Sequence, residues 1–277
     1  MPFLKLLTAA RPSTLFAPLT ASLSASLSAS LFAAFIAIVP SVGTARTLDA
    51  IKASGTLVVG TEGAYPPFNF YQGAKLTGFE IELAEAVARK MGLAIEWKAL
   101  SFDALLAGLK ADRWDMVVAS FGITEERARA VTFTQPYYCS GGIIVSRDPT
   151  IRSAATLVGK TVAVQTGTTY MKSVSLVPGV KEVKNFPHDT DARSALVTGR
   201  VDAWVSDRFA VKAALEATPK SALKTGEFLF IEKIAPAVQK GNAPLAAAAD
   251  RALAELMADG TYKTLSEKYL KEDVRCK

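Results

Sequence analysis

Apolar and polar residues follow two alternating periods along the chain, one typical of buried strands and one of amphipathic helices. The run Met-Val-Val-Ala at 116–119 is continuously apolar and β-branched at its centre, which is typical of a strand buried on both faces of a parallel sheet. From Phe79 onward apolar residues recur on one helical face, and Gly92 predicts the helix end. The segments from 56 to 119 therefore predict the order β-α-β-α-β.

The same order of elements returns in the second half of the chain. Segments 104–120 and 192–207 each contain a helix, a polar turn with an arginine, an aspartate and a buried strand. This repeat predicts two α/β lobes whose strand ends face each other across a cleft, where two-domain proteins usually bind small ligands. Segments 136–146 and 228–239 predict two crossings between the lobes, and hence a hinge.

The N-terminal stretch predicts an export signal. Lys5 and Arg11 precede a segment, 12–45, that carries no charge and ends in Pro40 and small residues. We interpret residues 1–45 as a signal peptide cleaved near Ala45; the alternative is an uncleaved membrane anchor. Residues 46–138 and 235–277 are then predicted to form the first lobe, and 139–234 the second. An exported chain meets oxidising conditions, so the two cysteines either form a bridge or remain free.

Composition excludes several classes of function. The chain has 277 residues and a net charge of +6, but its basic residues are scattered among acidic ones, so no nucleic-acid partner is expected. One histidine, His188, and two cysteines, Cys139 and Cys276, lack the spacing of a metal site or a nucleophilic triad, so no cofactor is expected. His188 lies between a proline and an aspartate and is predicted to be a surface loop residue.

Polar residues follow the 116–119 strand and predict a carboxylate site. Ser120 ends the strand, and Thr124 is a predicted helix N-cap with Arg127 in the first turn. A helix N-terminus and a guanidinium at the carboxyl end of a strand both favour an anion. In the alternative interpretation Arg127 pairs with Glu125 or Glu126 on a solvated turn.

Segment 78–88, Gly-Phe-Glu-Ile-Glu-Leu-Ala-Glu-Ala-Val-Ala, and the Asp-Gly-Thr-Tyr turn at 259–262 resemble the family 3 extracellular solute-binding proteins of ABC importers, of the lysine/arginine/ornithine-binding type. The likeness extends over 48–273. It implies the type II periplasmic binding protein fold, with two α/β lobes and two crossing hinge segments that close around an amino acid.

The resemblance also implies a role for individual residues. Arg127, with backbone groups around Ser120 and Gly122, would hold the ligand's α-carboxylate. Thr169 would close from the second lobe, and Asp207 would hold the α-ammonium. Asp207 also stands at a strand end before a helix, so a simple N-cap is its alternative role.

The remaining implied contacts concern the ligand's side chain. Tyr65 and Phe102 would sandwich it, unless both are ordinary core residues. Glu62 would read its distal end, which favours a cationic group because an unpaired buried carboxylate is costly. Ala119 and Gly122 stand where relatives often carry hydroxyls, so either backbone and water replace those contacts or the ligand is larger than a simple amino acid.

The sequence therefore predicts a monomeric periplasmic binding protein, not an enzyme, that delivers a polar amino acid to a membrane permease. Two alternatives remain open at this stage. One is a cyclohexadienyl dehydratase of the same fold, for which Glu62 is the candidate acid or base. The other is a sensor domain tethered by an uncleaved N-terminus.

Overall fold

The structure is a computed structural model that describes residues 45–276. The predicted signal peptide falls on residues 1–45, so all but the last of its residues lie outside the described part of the chain. Over residues 45–276, no helix combines the length and apolar character needed to cross a membrane.

The described chain contains thirteen strands and nine α-helices, with one 3₁₀ turn at Ala154–Leu157. The strands are β1 Thr56–Thr61, β2 Ala64–Tyr65, β3 Asn69–Gln72, β4 Lys75–Thr77, β5 Ala94–Ala99, β6 Met116–Val117, β7 Val131–Phe133, β8 Tyr138–Ser146, β9 Thr161–Gln165, β10 Glu182–Phe186, β11 Ala203–Asp207, β12 Lys224–Ile234 and β13 Ala237–Gln239. The helices are α1 Leu48–Ser54, α2 Phe79–Lys90, α3 Phe102–Lys110, α4 Glu125–Ala130, α5 Thr169–Ser175, α6 Asp189–Val197, α7 Arg208–Ala217, α8 Ala243–Ala258 and α9 Thr261–Leu270.

The first sheet has the strand order β5-β1-β6-β13-β7, with β1 between its parallel neighbours β5 and β6. Helices cover both faces, which explains the continuously apolar run. Met116 and Val118 pack into one core cluster, while Val117 and Ala119 pack into the other. Met116 and Val117 form β6, and Val118 still donates its N–H to the Gly60 carbonyl of β1 (2.9 Å). The chain then leaves the sheet at Ser120, whose φ of 54° lies in the left-handed region.

The second sheet has the order β10-β9-β11-β8-β12 and repeats the arrangement. Strand β9 lies between parallel β10 and β11, and β11 pairs antiparallel with β8. Val164 and Val205 face one core cluster, while Ala163 and Trp204 face the other. The prediction of two α/β lobes is confirmed.

Strands β8 and β12 carry the chain between the two sheets. They pair antiparallel as far as Tyr138 and Ile234, and β13, which follows Ile234 after two residues, joins the first sheet. Two adjacent crossings allow a hinge motion. We propose the lobe boundaries given above, 46–138 with 235–277 and 139–234, since each set contains the strands of one sheet.

Segment 62–68, whose two prolines favour an irregular loop, contains a short strand. Ala64 and Tyr65 form β2, which pairs with β3 in a small sheet completed by β4. The first helix, α1, was not predicted either; Thr47 caps it by accepting a hydrogen bond from the Ala50 N–H. Both elements are short, so their hydrophobic pattern is weak.

A disulfide joins Cys139, at the start of β8, to Cys276, and so ties the chain's C-terminal end to a crossing strand. The bridge spans 137 residues of sequence. Because a cross-link of a long loop restricts the unfolded chain, we expect the Cys139→Ser/Cys276→Ser variant to lose about 3 to 5 kcal/mol of unfolding free energy. Urea denaturation measures this loss.

The matched control for this prediction is the unmodified protein with and without reductant. Reductant should lower the stability of the unmodified protein and leave the double variant unchanged. Equal stability of the two proteins without reductant would show that the bridge contributes nothing.

Candidate functional site

A small cavity lies between the two lobes. It is far smaller than the roughly 300–1,000 Å³ of pockets for drug-sized ligands, so entry of a ligand requires the lobes to move apart. Both lobes contribute to its lining, which consists of Tyr65, Phe102, Ser120, Arg127, Gln165, Thr168, Thr169 and Tyr170. Five of the eight predicted ligand-binding residues are among these. The other three, Glu62, Gly122 and Asp207, contact or adjoin the lining residues.

Arg127 anchors one end of the cavity and spans the two lobes. Its Nη1 donates to the Gly122 carbonyl of its own lobe (2.8 Å), and its Nη2 donates to the Gly167 carbonyl of the second lobe (2.9 Å). The guanidinium also lies 4.9 Å from the centre of the Phe121 ring. Burial lowers its pKa, and the nearby charge of Glu232 opposes that effect. A half-buried guanidinium in this position can bind a carboxylate in bidentate geometry.

The alternative interpretation, in which Arg127 pairs with an acid on its own helical turn, is wrong. Glu125 pairs instead with Arg129 (3.6 Å), and Glu126 pairs with Lys172 of the second lobe (2.9 Å). The predicted cap is present, because Thr124 Oγ1 accepts from the Arg127 N–H (3.1 Å). Helix α4 has only six residues, so the anion preference rests on the guanidinium rather than on a helix dipole.

Ser120 presents its hydroxyl, not its backbone N–H, for a contact with a ligand. The N–H donates to Glu80 Oε1 (2.7 Å), and Glu80 also accepts from Asn69 Nδ2 (2.6 Å) and from the Tyr137 hydroxyl. Ser120 Oγ is buried and has no hydrogen-bond partner within residues 45–276. Glu80 thus fixes the turn after β6. The sequence showed Glu80 only as an acid in the first turn of a helix and gave no signal of this contact.

Asp207 has the predicted N-cap role and keeps one further carboxylate oxygen, while its contact with a ligand ammonium stays a prediction. Its Oδ1 accepts from the Phe209 N–H (2.7 Å) and caps α7, while its Oδ2 is buried without a partner in the described part of the chain. Burial raises the pKa of Asp207 to about 7, against stabilising hydrogen bonds. An ammonium group would satisfy the second oxygen and favour the ionised carboxylate.

Glu62 has partners, which removes one argument for a cationic ligand. Its Oε1 accepts from Gln165 Nε2 (2.7 Å) and lies 3.1 Å from His188 Nδ1. Its side chain is 1% exposed, and burial raises its pKa. As predicted, His188 lies in a loop, before α6, with its side chain 41% exposed, but its ring also contacts Glu62 of the first lobe. Nothing in the local sequence indicates this contact, which forms only because the lobes meet.

Tyr65 and Phe102 also combine both alternatives. Tyr65 stacks on Phe68 (5.4 Å between ring centres), and its hydroxyl lies 3.2 Å from Ser206 Oγ of the second lobe. Phe102 stacks on Phe121 at 4.2 Å. Each ring is therefore packed in the core on one side while lining the cavity on the other. The geometry suits an apolar contact with the stem of a ligand side chain.

Four further residues of the second lobe belong to the site but were not predicted: Gln165, Thr168, Tyr170 and Glu232. Gln165 ends β9, and a polar residue at a strand end was the signal that could have identified it. In residues 45–276, no group of three or more His, Cys, Asp or Glu side chains could hold a metal ion.

The comparisons with known proteins agree with this architecture. The family model of the bacterial extracellular solute-binding proteins, family 3, matches residues 57–272. The L-cystine-binding protein TcyJ of Escherichia coli strain K12 is 38% identical over 233 residues, covering 82% of this chain and 87% of that protein.

Solved structures show the same similarity. An ancestral arginine-binding protein bound to arginine is 39% identical, with a TM-score of 0.74 and coverage of 78% of this chain and 98% of that one. An ancestral amino-acid-binding protein, a precursor of cyclohexadienyl dehydratase, is 31% identical with a TM-score of 0.75, covering 80% and 98%. The resemblance found in the sequence is thus confirmed at the family level, while the lysine/arginine/ornithine subtype stays a prediction. The chain belongs to the family 3 bacterial extracellular solute-binding proteins.

Proposed function

We propose that this protein captures a free polar amino acid between its lobes and delivers it to the membrane permease of an ABC importer. One observation carries the proposal. Arg127 of the first lobe lines the cavity, and Asp207 of the second lobe, whose charge acts on the lining residues Tyr65 and Tyr170, has a buried carboxylate oxygen without a partner in residues 45–276. This pair matches the α-carboxylate and α-ammonium groups that all amino acids share.

The proposed contacts suffice in energy for a transport protein. Hydrogen bonds to charged groups contribute about 1.5–3 kcal/mol each. A micromolar dissociation constant corresponds to roughly 8 kcal/mol. Arg127, Asp207 and Ser120, together with burial of the ligand side chain on Tyr65 and Phe102, reach that range. Because the ligand contacts both lobes, its binding favours the closed arrangement.

We propose a cationic side chain as the preferred class, as in arginine, lysine or ornithine. Gln165, which lines the cavity, donates a hydrogen bond to Glu62. Buried Asp189 lies close enough to Glu62 for the two charges to interact. Burial raises the pKa of Asp189 to about 7. Neither acid lines the cavity itself, but their combined charge favours a positive group near Gln165. Relatives named for arginine and for cystine support a polar ligand and leave the choice to experiment.

We further propose that the protein is exported by a cleaved N-terminal signal peptide and acts as a monomer in the periplasm. The family description, which is extracellular, supports export. N-terminal sequencing of the secreted protein should begin near Arg46. A sequence beginning at the N-terminus of the chain would favour the tethered sensor instead.

Binding is tested with a panel of the twenty amino acids, ornithine and cystine on the protein purified from the periplasm of a producing cell. A ligand at a hundredfold excess over its dissociation constant adds about 2.7 kcal/mol of stability, which raises the thermal midpoint by roughly 5 to 11 °C. Shifts are expected for basic amino acids first. No shift with any member of the panel would contradict the proposed function.

The protein is proposed to have no enzymatic activity. The similar dehydratase precursor makes this worth testing. Glu62 is the acid in the cleft best placed for proton transfer, but Gln165 and His188 already hold its Oε1. We expect no product from prephenate or arogenate. Turnover that disappears in a Glu62→Gln variant would replace the transport function with the dehydratase.

A further inference from the structure

The carboxyl of Glu232, on the second lobe, fills the space that a side chain at position 122 of the first lobe would occupy. It lies on β12 opposite Ser140 of β8, and its carboxyl extends to Gly122 of the first lobe. A Cβ placed on Gly122 would lie 1.9 Å from Glu232 Oε2. The φ angle of Gly122 is outside the left-handed region that favours glycine. A side chain at position 122 would therefore have to displace the flexible carboxyl of Glu232, whereas the backbone conformation of Gly122 does not require glycine.

The Glu232 carboxyl lies next to the proposed anion site but is not bound within it. Its Oε2 is buried without a hydrogen-bond partner in residues 45–276. Arg127 is near enough for the two charges to interact, yet both hydrogen bonds of the guanidinium go to the carbonyls of Gly122 and Gly167. The Cβ position on Gly122 is also 3.2 Å from Thr169 Cγ2. Glu232 Oε2 is thus a buried oxygen without a partner among the described residues, beside Gly122 and close enough to Arg127 for their charges to interact.

The protonation state decides what this oxygen can do. An ionised Glu232 beside a bound carboxylate would repel it, whereas a protonated carboxyl donates one O–H hydrogen bond. Burial raises the pKa of Glu232, while Thr169 and the charge of Arg127 act in the opposite direction. The other titratable groups that face it are Tyr170 of α5 and Asp207 at the end of β11.

We propose that Glu232 is a ligand-binding residue whose protonated carboxyl donates a hydrogen bond, from the second lobe, to the ligand carboxylate held by Arg127. The Glu232 carboxyl occupies the space that a side chain at position 122 would fill. The inference rests on the proposed function, because it names a further contact to the same amino acid. It also couples binding to closure, since Glu232 and Arg127 lie on different lobes.

The experiment is isothermal titration calorimetry with the amino acid that binds best in the panel. Glu232→Ala should weaken binding by about 10-fold or more, because one hydrogen bond to a charged group is lost. Glu232→Gln, whose amide also donates, should stay within about threefold of the unmodified protein. Glu227→Ala, an exposed glutamate on the same strand, is the matched control and should bind normally.

A swap variant tests the position of the contact. Gly122→Ser alone forces the Glu232 carboxyl aside. Gly122→Ser/Glu232→Ala removes that conflict and places a hydroxyl beside Arg127 from the first lobe. We expect the double variant to bind more tightly than Glu232→Ala alone, with the thermal midpoint of the ligand-free proteins unchanged. A general structural defect at Glu232 would not be rescued in this way.

The outcomes separate this inference from the proposed function. Equal or tighter binding by Glu232→Ala, with binding abolished in Arg127→Ala, would overturn the role of Glu232 and leave the proposed function standing. Weak binding by Glu232→Gln, equal to that of Glu232→Ala, would also overturn it, since the donor would then be irrelevant. If the unmodified protein binds no amino acid, both proposals fail together.

Discussion

Alanine at position 127 is expected to weaken amino-acid binding by about a thousandfold while leaving the protein folded. Truncating one partner of a buried, hydrogen-bonded charge pair costs about 2–5 kcal/mol or more, because the ligand carboxylate loses its counter-charge. Arg127→Ala also removes the hydrogen bond to the Gly167 carbonyl, which links the lobes. Calorimetry on the purified variant measures the loss.

Arg129→Ala is the matched control for this prediction. It lies two positions further along α4, and its partner, Glu125, is exposed. An exposed pair of this kind contributes little, so Arg129→Ala should bind normally. If Arg127→Ala binds with unchanged affinity, the guanidinium does not contact the ligand. The proposed orientation of the ligand is then wrong as well.

The second large effect is expected for Asp207→Asn, which should weaken binding by about a hundredfold. The substitution keeps the helix cap, since asparagine is a good N-cap and its oxygen can still accept from the Phe209 N–H. It removes the negative charge that would hold the α-ammonium, a loss within the 2–5 kcal/mol range of buried charge pairs. Asp191→Asn, an exposed acid in the first turn of α6, is the control.

The same variant should change the pH dependence of binding. The pKa of Asp207 is about 7 in the ligand-free protein, whereas an ammonium ligand requires the ionised form. Affinity should therefore fall as the pH drops below about 7, by at most tenfold per unit, and Asp207→Asn should show a flatter profile. A profile identical to that of the unmodified protein would exclude Asp207 as the ammonium partner.

Stability should change in the opposite direction. A folded pKa of about 7, raised from 3.8, means that the contribution of Asp207 to stability is fully present below pH 3.8 and is lost as the pH rises through 7. Without ligand at pH 8, Asp207→Asn should therefore be at least as stable as the unmodified protein. A variant that loses both binding and stability would indicate a structural role for the charge.

Much of the fold could be predicted because its determinants are local. The period of the apolar residues distinguishes helices from buried strands, and the repeated order of elements predicts two lobes. Residues that mark the ends of helices were equally informative, since Thr124 caps α4 and Gly92 follows α2. Elements as short as β2, with two residues, and α1, with seven, give too few repeats of either period to be recognised.

The candidate site shows where local information ends. The sequence by itself determined which residues stand at strand ends and helix starts, including Arg127, Ser120 and Asp207. Only the tertiary structure decided which of their polar atoms already have partners. The decisive hydrogen bonds join residues 40 positions apart for Ser120 with Glu80, and 103 and 126 positions apart for Glu62 with its two partners.

The physical reason is that burial and pairing are properties of the closed fold. A side chain's intrinsic pattern depends on neighbours within about four positions, but its desolvation and its hydrogen bonds depend on whatever segment packs against it. The bridge between Cys139 and Cys276 and the position of Glu232 beside Gly122 follow this rule. The sequence determined the lobes and the chemical groups they carry, and the packing of one lobe on the other decided which groups remain available to a ligand.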